Sequence, residues 1–436
     1  MSALALPDVV RSHFDAFARS VGASDPPFLR RLRDAAMVRF AERGFPTTRD
    51  EAWRSTSVAP IAKTAFRRPD PEASVDEDLL PGGLRAVFVN GRFSPVLSSG
   101  EFPQGLRVRS LRQALVTEPD RVEAHLGELA CDPADAFAAL NTAFLEDGVL
   151  VEVEPGAIVE EPLSLVFVSS NHTGEPSQSH ARTLVLAGRG SQATLIQAYV
   201  GREGESYLTT AVTELLLEDG AILDHHHLQR ESTAAYHVAR LAVRQGRDSR
   251  FSDHAFALGA ALSRRDIELT LDGEGAEGTL NGLFMVGGSQ HADTHSRIDH
   301  RKPHGTSRQL YKGVLDGRAR GVFHGEVVVQ KGAQKTDALQ NNKNLLLSRE
   351  ALVNSTPSLR IFADDVKCKH GSTTGQLDPV ALFYLRSRGI AEDQARSLLT
   401  YAFASDVVGR VQVERLRVAL ERWLTSHLPG SGEEWA

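Results

Sequence analysis

From Val149 onward one short form keeps returning: an apolar-x-apolar run, one or two further residues, then glycine. It recurs in "VEVEPGAIV", "LVLAGRGSQATL", "LLLEDGAILDH", "LAVRQGRDSRF", "LTLDGEGAEGTLNG" and "VLDGRARGVFHG". Successive units recur at similar spacings, of the length that repeat architectures use, with a longer step before the last. Helical periodicity is nearly absent between them. Two later stretches, "GTLNGLFMVGGSQHAD" from Gly278 and "GVFHGEVVVQKGAQKTD" from Gly321, align with a single inserted residue. The alignment matches Gly282 with Gly325, Val286 with Val329, Gln290 with Gln334 and Asp293 with Asp337. A unit of this size cannot bury its apolar face alone and stacks on the next, which is how a solenoid is built. With strands this short and no helices between them, a β-helix over residues 149–375 is expected. A β-sandwich would share the alternation but would not need the repeat.

The flanks read differently. Residues 1–148 are expected to be a helical region with one hairpin. "DPPFLRRLRDAAMVRFAERG" offers Asp25 as N-cap, prolines in the first turn and Gly44 as stop. "RAVFVNGRFSPVLS" is a hairpin turning at Asn90-Gly91. "DPADAFAALNTAFLEDG" is a short helix with Asp132 as N-cap, Pro133 at its first position and Gly148 at its end. Residues 376–436 return to helix, with Asp378 as N-cap, Pro379 next and Gly389 as stop, then one or two more helices. Leu382, Phe383, Leu385, Leu398, Leu399, Phe403 and Val407 give this appendage more apolar surface than about 60 residues bury alone. It must pack on the β-helix or on a partner.

Composition narrows the function classes. A net charge of −7 and a pI near 6.2 give no bulk attraction to nucleic acid. Two cysteines, Cys131 and Cys368, make no disulfide framework and fit a reducing compartment. The N-terminus lacks the basic and long apolar regions of a signal peptide, and no run of 18 apolar residues occurs, so a cytoplasmic protein without a membrane span is expected. Of eight lysines, seven lie between Lys302 and Lys369, against an otherwise arginine-rich background.

Four stretches carry candidate chemistry. In "VKCKH", alternation puts Val366, Cys368 and His370 on one strand face and Lys367 and Lys369 on the other. Thiol and imidazole are then about 6.5–7 Å apart along the strand. Both are good ligands for zinc or iron, but such sites commonly want four, so the pair is at most half a site. The competing reading is a buried cysteine acting as a small apolar residue, with His370 capping the next turn. "DHHHLQ" sets His225 and His227 on one face; a polar exterior strand competes there with the start of a metal site. "HADTHSRIDHRKPHG" is read as a loop along the solenoid rim, and Asn341, Asn342 and Asn344 as side chains stacking or capping at β-helix turns. No Walker A sequence, nucleophile elbow, dinucleotide fingerprint or set of C-x-x-C pairs occurs.

The run from Leu345 to Ile390, "LLLSREALVNSTPSLRIFADDVKCKHGSTTGQLDPVALFYLRSRGI", resembles the SufB/SufD family of iron–sulfur cluster assembly proteins. "GFPTTRDEAWRST" and "FAALNTAFLEDG" resemble that family's N-terminal elements. The Cys-x-His-Gly arrangement and the scarcity of cysteine are similar to its SufD branch. The resemblance implies a β-helix core flanked by helical domains, and a non-catalytic scaffold that pairs with SufB and docks the ABC-type ATPase SufC. It implies that His370, with Cys368 as the weaker candidate, contributes to a transient Fe–S cluster shared with SufB thiolates. Docking of the ATPase is carried over to Phe383, Tyr384, Leu398, Tyr401 and Phe403. ATP-driven strain on the helices from Asp378 onward would reach the interface between the two β-helices. Flavin is linked to the family's complexes, though no stretch here specifies a flavin pocket, and a homodimer is implied where SufB is absent. A purely structural partner of SufB, and a stand-alone β-helix carbohydrate enzyme, are the alternatives.

Overall fold

Each glycine-closed unit becomes the end of one strand and the turn that leads to the next, as a computed structural model shows. The structure describes residues 8–21, 25–69, 75, 82–130, 132, 134–170 and 174–428. Cys131 and Pro133 lie outside them.

The N-terminal part contains α1 (Asp8–Ser20), α2 (Pro27–Arg43), α3 (Ala59–Lys63), β1 (Arg85–Val89), β2 (Arg92–Phe93) and β3 (Leu106–Ser110). Three more helices follow: α4 (Leu111–Thr117), α5 (Pro119–Glu123) and α6 (Ala136–Ala143). The solenoid strands are β4 (Val149–Val153), β5 (Leu163–Ser169), β6 (Ser177–Ala187), β7 (Gln192–Gly201), β8 (Tyr207–Leu217) and β9 (Ile222–Arg230). They continue with β10 (Tyr236–Gln245), β11 (Arg250–Ala257), β12 (Leu262–Leu271), β13 (Glu277–Val286) and β14 (His291–His300). The last are β15 (Thr306–Leu315), β16 (Arg320–Val329), β17 (Asp337–Leu346), β18 (Leu352–Ile361) and β19 (Lys367–Gly375). The chain closes with α7 (Pro379–Ser387), α8 (Glu392–Val408) and α9 (Glu414–Ser426).

Even-numbered strands from β4 to β18 stack in parallel in one sheet, with β3 at its start, and odd-numbered strands from β5 to β19 stack in the other, with β1 and β2. The core is therefore a two-sheet β-helix, and β1 belongs to it by parallel pairing with β5. Tyr236 is the register partner of Leu262 on the next coil, and Arg320 that of Leu352, separations that match the glycine spacing. The strands are longer than the sequence suggests, because the polar positions between apolar ones stay in the ladder. The aligned stretches from Gly278 and Gly321 fall on β13 and β16, in opposite sheets. Their likeness is that of one strand to another, one and a half coils on.

Between the sheets lies a column of Val151, Leu165, Leu195, Leu223, Phe251, Leu280, Ile298 and Val327. The outer face of the even sheet is covered by the N-terminal helices: Phe40, Phe45, Phe137 and Phe144 pack on Leu208, Val238 and Leu262. The odd sheet is covered by α8 and α9, whose Val407, Val408, Leu416 and Leu420 meet Phe256, Leu283, Met285 and Val314. Lys312 of β15 is buried beneath α8, donating to the Phe403 carbonyl (2.9 Å) and to Asp406 (2.8 Å) while lying 4.6 Å from the Phe403 ring centre. This is the one member of the lysine cluster that is buried, in a socket for a compact ammonium.

Several local readings change. The Asn90-Gly91 turn holds, both residues at positive φ (51° and 80°) as a two-residue hairpin requires. Pro26, not Asp25, caps α2, because the Asp25 carboxylate is engaged by buried Arg33. Asp135, not Asp132, caps α6 by accepting from the Ala138 N–H (2.8 Å), and the helix stops at Ala143, well before Gly148. "HADTHSRIDH" is strand β14 rather than a rim loop. Asn342 and Asn344 do stack, but inside strand β17, with Asn344 Nδ2 donating to Asn342 Oδ1 (2.6 Å). "DHHHLQ" is not a polar exterior strand: His225, His226 and His227 are all buried, and His225 and His227 point between the sheets.

Gly282 shows how tightly the interior is filled. A Cβ there would overlap the Tyr311 ring of the next coil. Gly282→Ala is expected to lose about 1–3 kcal/mol of stability by overpacking, read as a lower denaturant midpoint; an unchanged midpoint would mean the ring is free to move.

Candidate functional site

The solenoid starts at β1, β2 and β3, whose Phe88, Phe93 and Leu106 pack on the first interior residues, and ends at β18 and β19. Among the described residues β18 pairs only with β16, and β19 only with β17, so within them both last strands present a free backbone edge. Exposed Leu352 (51 %), Phe362 (55 %), Ile361 and Leu339 lie on these last strands and beside them.

Alternation along β19 is as the sequence predicts. Val366 and Cys368 are half-buried and pack against the interior column, while Lys367 and Lys369 are exposed. Cys368 is in register with Ala338, and His370 with Gln340, whose side chains are buried inside. Thiol and imidazole therefore share the inward face at the mouth of the solenoid, and His370 is exposed because no further coil covers it. Burial pushes the Cys368 thiol up from its ordinary value, which favours the protonated form that neither attacks nor binds metal well. Beside the pair, the hydroxyls of Ser355 and Ser372 bridge β18 to β19 (2.7 Å), and Ser355 also donates to Asn342 Oδ1 (2.7 Å). This polar bridge joins the two last strands across the mouth.

Among the described residues no group of three or more His, Cys, Asp or Glu side chains converges as a metal cage. Two donors are what the mouth supplies, so a four-ligand shell there needs donors from outside the chain.

The other histidine tract is committed elsewhere. His225 Nδ1 is 2.7 Å from Asp253 Oδ1 and its Nε2 is 3.1 Å from Gln197 Oε1. Arg265, from the opposite sheet, grips both Asp253 oxygens (2.7 and 2.8 Å). Burial alone would raise the Asp253 carboxyl, but Arg265 and His225 outweigh it and hold it well below the usual carboxylate range. Burial pushes His225 and His227 down from their ordinary value, with Asp253 opposing the shift. The tract is a buried bolt between the sheets rather than a site. Sequence reasoning missed it because its partners are one coil away; comparing each position with its counterpart on the next coil would have found His225 beside Asp253.

The proposed docking residues divide. Phe383 (74 % exposed), Tyr384 (56 %) and Leu398 (50 %) leave an apolar surface on α7 and α8. Tyr401 and Phe403 instead pack towards the odd sheet. Two clefts of about 770 and 650 Å³ are lined by neither β18 nor β19, and their arginines largely face glutamates.

Comparison with known proteins gives the family. Residues 167–403 match the family model described as SUF system FeS cluster assembly, SufBD core domain, and residues 83–165 match the SufBD protein N-terminal region. An iron–sulfur cluster assembly SufBD family protein of Synechocystis is 31% identical over 417 residues, 92% of each chain. The iron–sulfur cluster assembly protein SufD of Escherichia coli is 31% identical over 394 residues, 89% of this chain and 90% of its own. The chloroplastic protein ABCI7 of Arabidopsis thaliana is 29% identical over 92% of this chain and 86% of its own. With the core-domain model spanning more than half of its residues, this chain belongs to the SufB/SufD family of iron–sulfur cluster assembly proteins.

Proposed function

We propose that this chain is a SufD-type scaffold subunit, without a catalytic centre of its own, that pairs with a SufB-type paralogue and a SufC-type ABC ATPase. The observation that carries this reading is the half-site at the open end: His370 exposed, Cys368 behind it, and two unpaired strand edges around them. A second β-helix adding to those edges would bring its own donors to the mouth, and main-chain pairing would supply affinity. The Fe–S cluster is then cargo, transiently shared. His370 supplies an imidazole and the paralogue's thiolates complete the shell. The protonated Cys368 is the lesser donor.

The apolar surface of Phe383, Tyr384 and Leu398 suits an ATPase that grips α7 and α8. Tyr401 and Phe403 lie on the inner side of α8, where Lys312 ties the helix to β15, two strands from β19. Movement of the docked ATPases would load α8 and pass through that tie to the last coils. Without a paralogue the same edges suit a second copy of this chain. Any flavin belongs to the complex rather than to residues identified here. Among the described residues no helix is long and apolar enough to cross a membrane, and a reducing, cytoplasmic setting suits the two cysteines.

A tagged chain purified from native lysate is expected to recover a cysteine-bearing paralogue and an ABC ATPase. His370→Ala should leave that complex intact while lowering cluster maturation by about tenfold or more, as loss of a metal-site group does. Normal maturation by this variant would remove the ligand role and leave a purely structural partner.

A further inference from the structure

Beneath His370 runs a short chain of amides with a direction. Gln309 Nε2 donates to Ser296 Oγ across the interior (2.6 Å), and Gln340 Nε2 donates to Gln309 Oε1 (2.7 Å). All three side chains are buried. The Gln340 amide fills the space left by Gly325, where a Cβ would strike it, so its position is set by the opposite sheet. Its donor is thus directed inward, and Gln340 Oε1 is a buried acceptor with no hydrogen-bond partner among the described residues.

A buried acceptor left unmatched is uncommon and calls for a partner. Three observations point to His370. The two residues are register partners on adjacent strands. They stand on the same inward face, the Gln309–Gln340 row leading straight to the mouth. The nearby hydroxyls of Ser355 and Ser372 are already joined to each other.

We propose that Gln340 is the positioning residue of His370: the bond is not made in this structure, and rotation of the exposed imidazole about its side-chain torsions brings one ring N–H to the unmatched Gln340 Oε1, which fixes the neutral tautomer and leaves the other nitrogen's lone pair facing out of the solenoid. A histidine that binds metal commonly gives its second N–H to such an acceptor, which sets the ring's orientation and raises its basicity. The ligand class follows as a divalent transition metal that accepts an imidazole, brought to the mouth from outside. This deepens, and rests on, the reading of His370 as a ligand.

The test is nitrogen-15 NMR of the full chain with labelled histidine, at a pH where imidazole is neutral, His370 being assigned by its loss in His370→Gln. A His370 ring N–H protected from exchange, and a single tautomer, are expected. Gln340→Leu should abolish the protected resonance and give the mixed tautomers of an unpaired imidazole, while Gln340→Glu, which keeps an acceptor, should retain both features. If Gln340→Leu loses its fold by circular dichroism, Gln340→Met takes its place. Absence of the protected N–H in the unmodified chain, or its survival in Gln340→Leu or Gln340→Met, would overturn the proposal. Failure of the ligand reading would appear separately, as normal cluster maturation in His370→Ala with the NMR result unaffected.

Discussion

Replacing Asp253 with alanine is expected to cost about 3–5 kcal/mol of stability, the toll for removing one partner of a buried ion pair. Asp253 is fully buried, accepts both Arg265 hydrogen bonds and holds His225 Nδ1. Without it the Arg265 guanidinium is a buried charge that has lost its carboxylate on the opposite sheet. The pair itself contributes far less than its loss costs, since both ions were desolvated to form it. A joint Asp253→Leu, Arg265→Met replacement should therefore recover most of the loss. In a solenoid, stability is close to a sum of coil and interface contributions, so damage at a central coil should split one guanidinium unfolding step into two. Circular dichroism through the titration would show it. A midpoint no lower than that of the exposed control Asp364→Ala would sink the argument.

The second large effect is a loss of stability in mild acid. Burial lowers His180 to about 3 and His300 to about 4, and also lowers His225, His227, His254, His291 and His324. A histidine held neutral in the fold but free to protonate when unfolded stabilises the fold fully above its unfolded value, near 6.5. As pH falls below that value the unfolded chain takes up protons that the folded chain refuses, and stability drops until the folded value is reached. By pH 5, His180 and His300 each account for about 2 kcal/mol of loss. Asp253 and Asp293 act in the same direction, but their loss begins only as pH falls through the unfolded carboxylate value near 3.8, and it continues well below that because both are held under the usual carboxylate range. The decline between pH 6.5 and 4 therefore belongs mainly to histidine. Melting temperatures at pH 7.5 and 5 should differ by several degrees, and His300→Gln should narrow the gap. Equal melting temperatures would contradict the assignment.

Much of the architecture was legible in the glycine spacing, because every coil must close a loop of similar length and each closure needs a turn. The shared face was legible too: strand alternation alone places Cys368 and His370 together and turns Lys367 and Lys369 away. Inside and outside were harder to tell apart. In "DHHHLQ" the buried face carries His225 and His227, so polarity pointed the wrong way, and the residues that make it tolerable, Asp253 and Arg265, are supplied by other coils. Asp378 caps α7 as the sequence indicates, whereas the starts of α2 and α6 failed for a related reason. "DPAD" holds two suitable aspartates, and which one caps depends on where Phe137 and Leu140 meet the sheet. The Gln309–Gln340 chain has no local sequence mark; it exists only once β15 and β17, on neighbouring coils, are laid side by side.

The stacking of coils also makes this protein a gauge. Strands in one sheet are spaced by about 4.8 Å, and eight such steps lead from β1 to β19. The last strand therefore lies roughly 38 Å from the first along the stacking direction. Gaining or losing one whole coil would shift the open end by a fixed increment while leaving both end surfaces chemically unchanged; a partial coil would only swell a turn. Reach in such a molecule is quantised, so a partner that spans from the first strands to the mouth can be fitted by counting coils rather than by reshaping either surface.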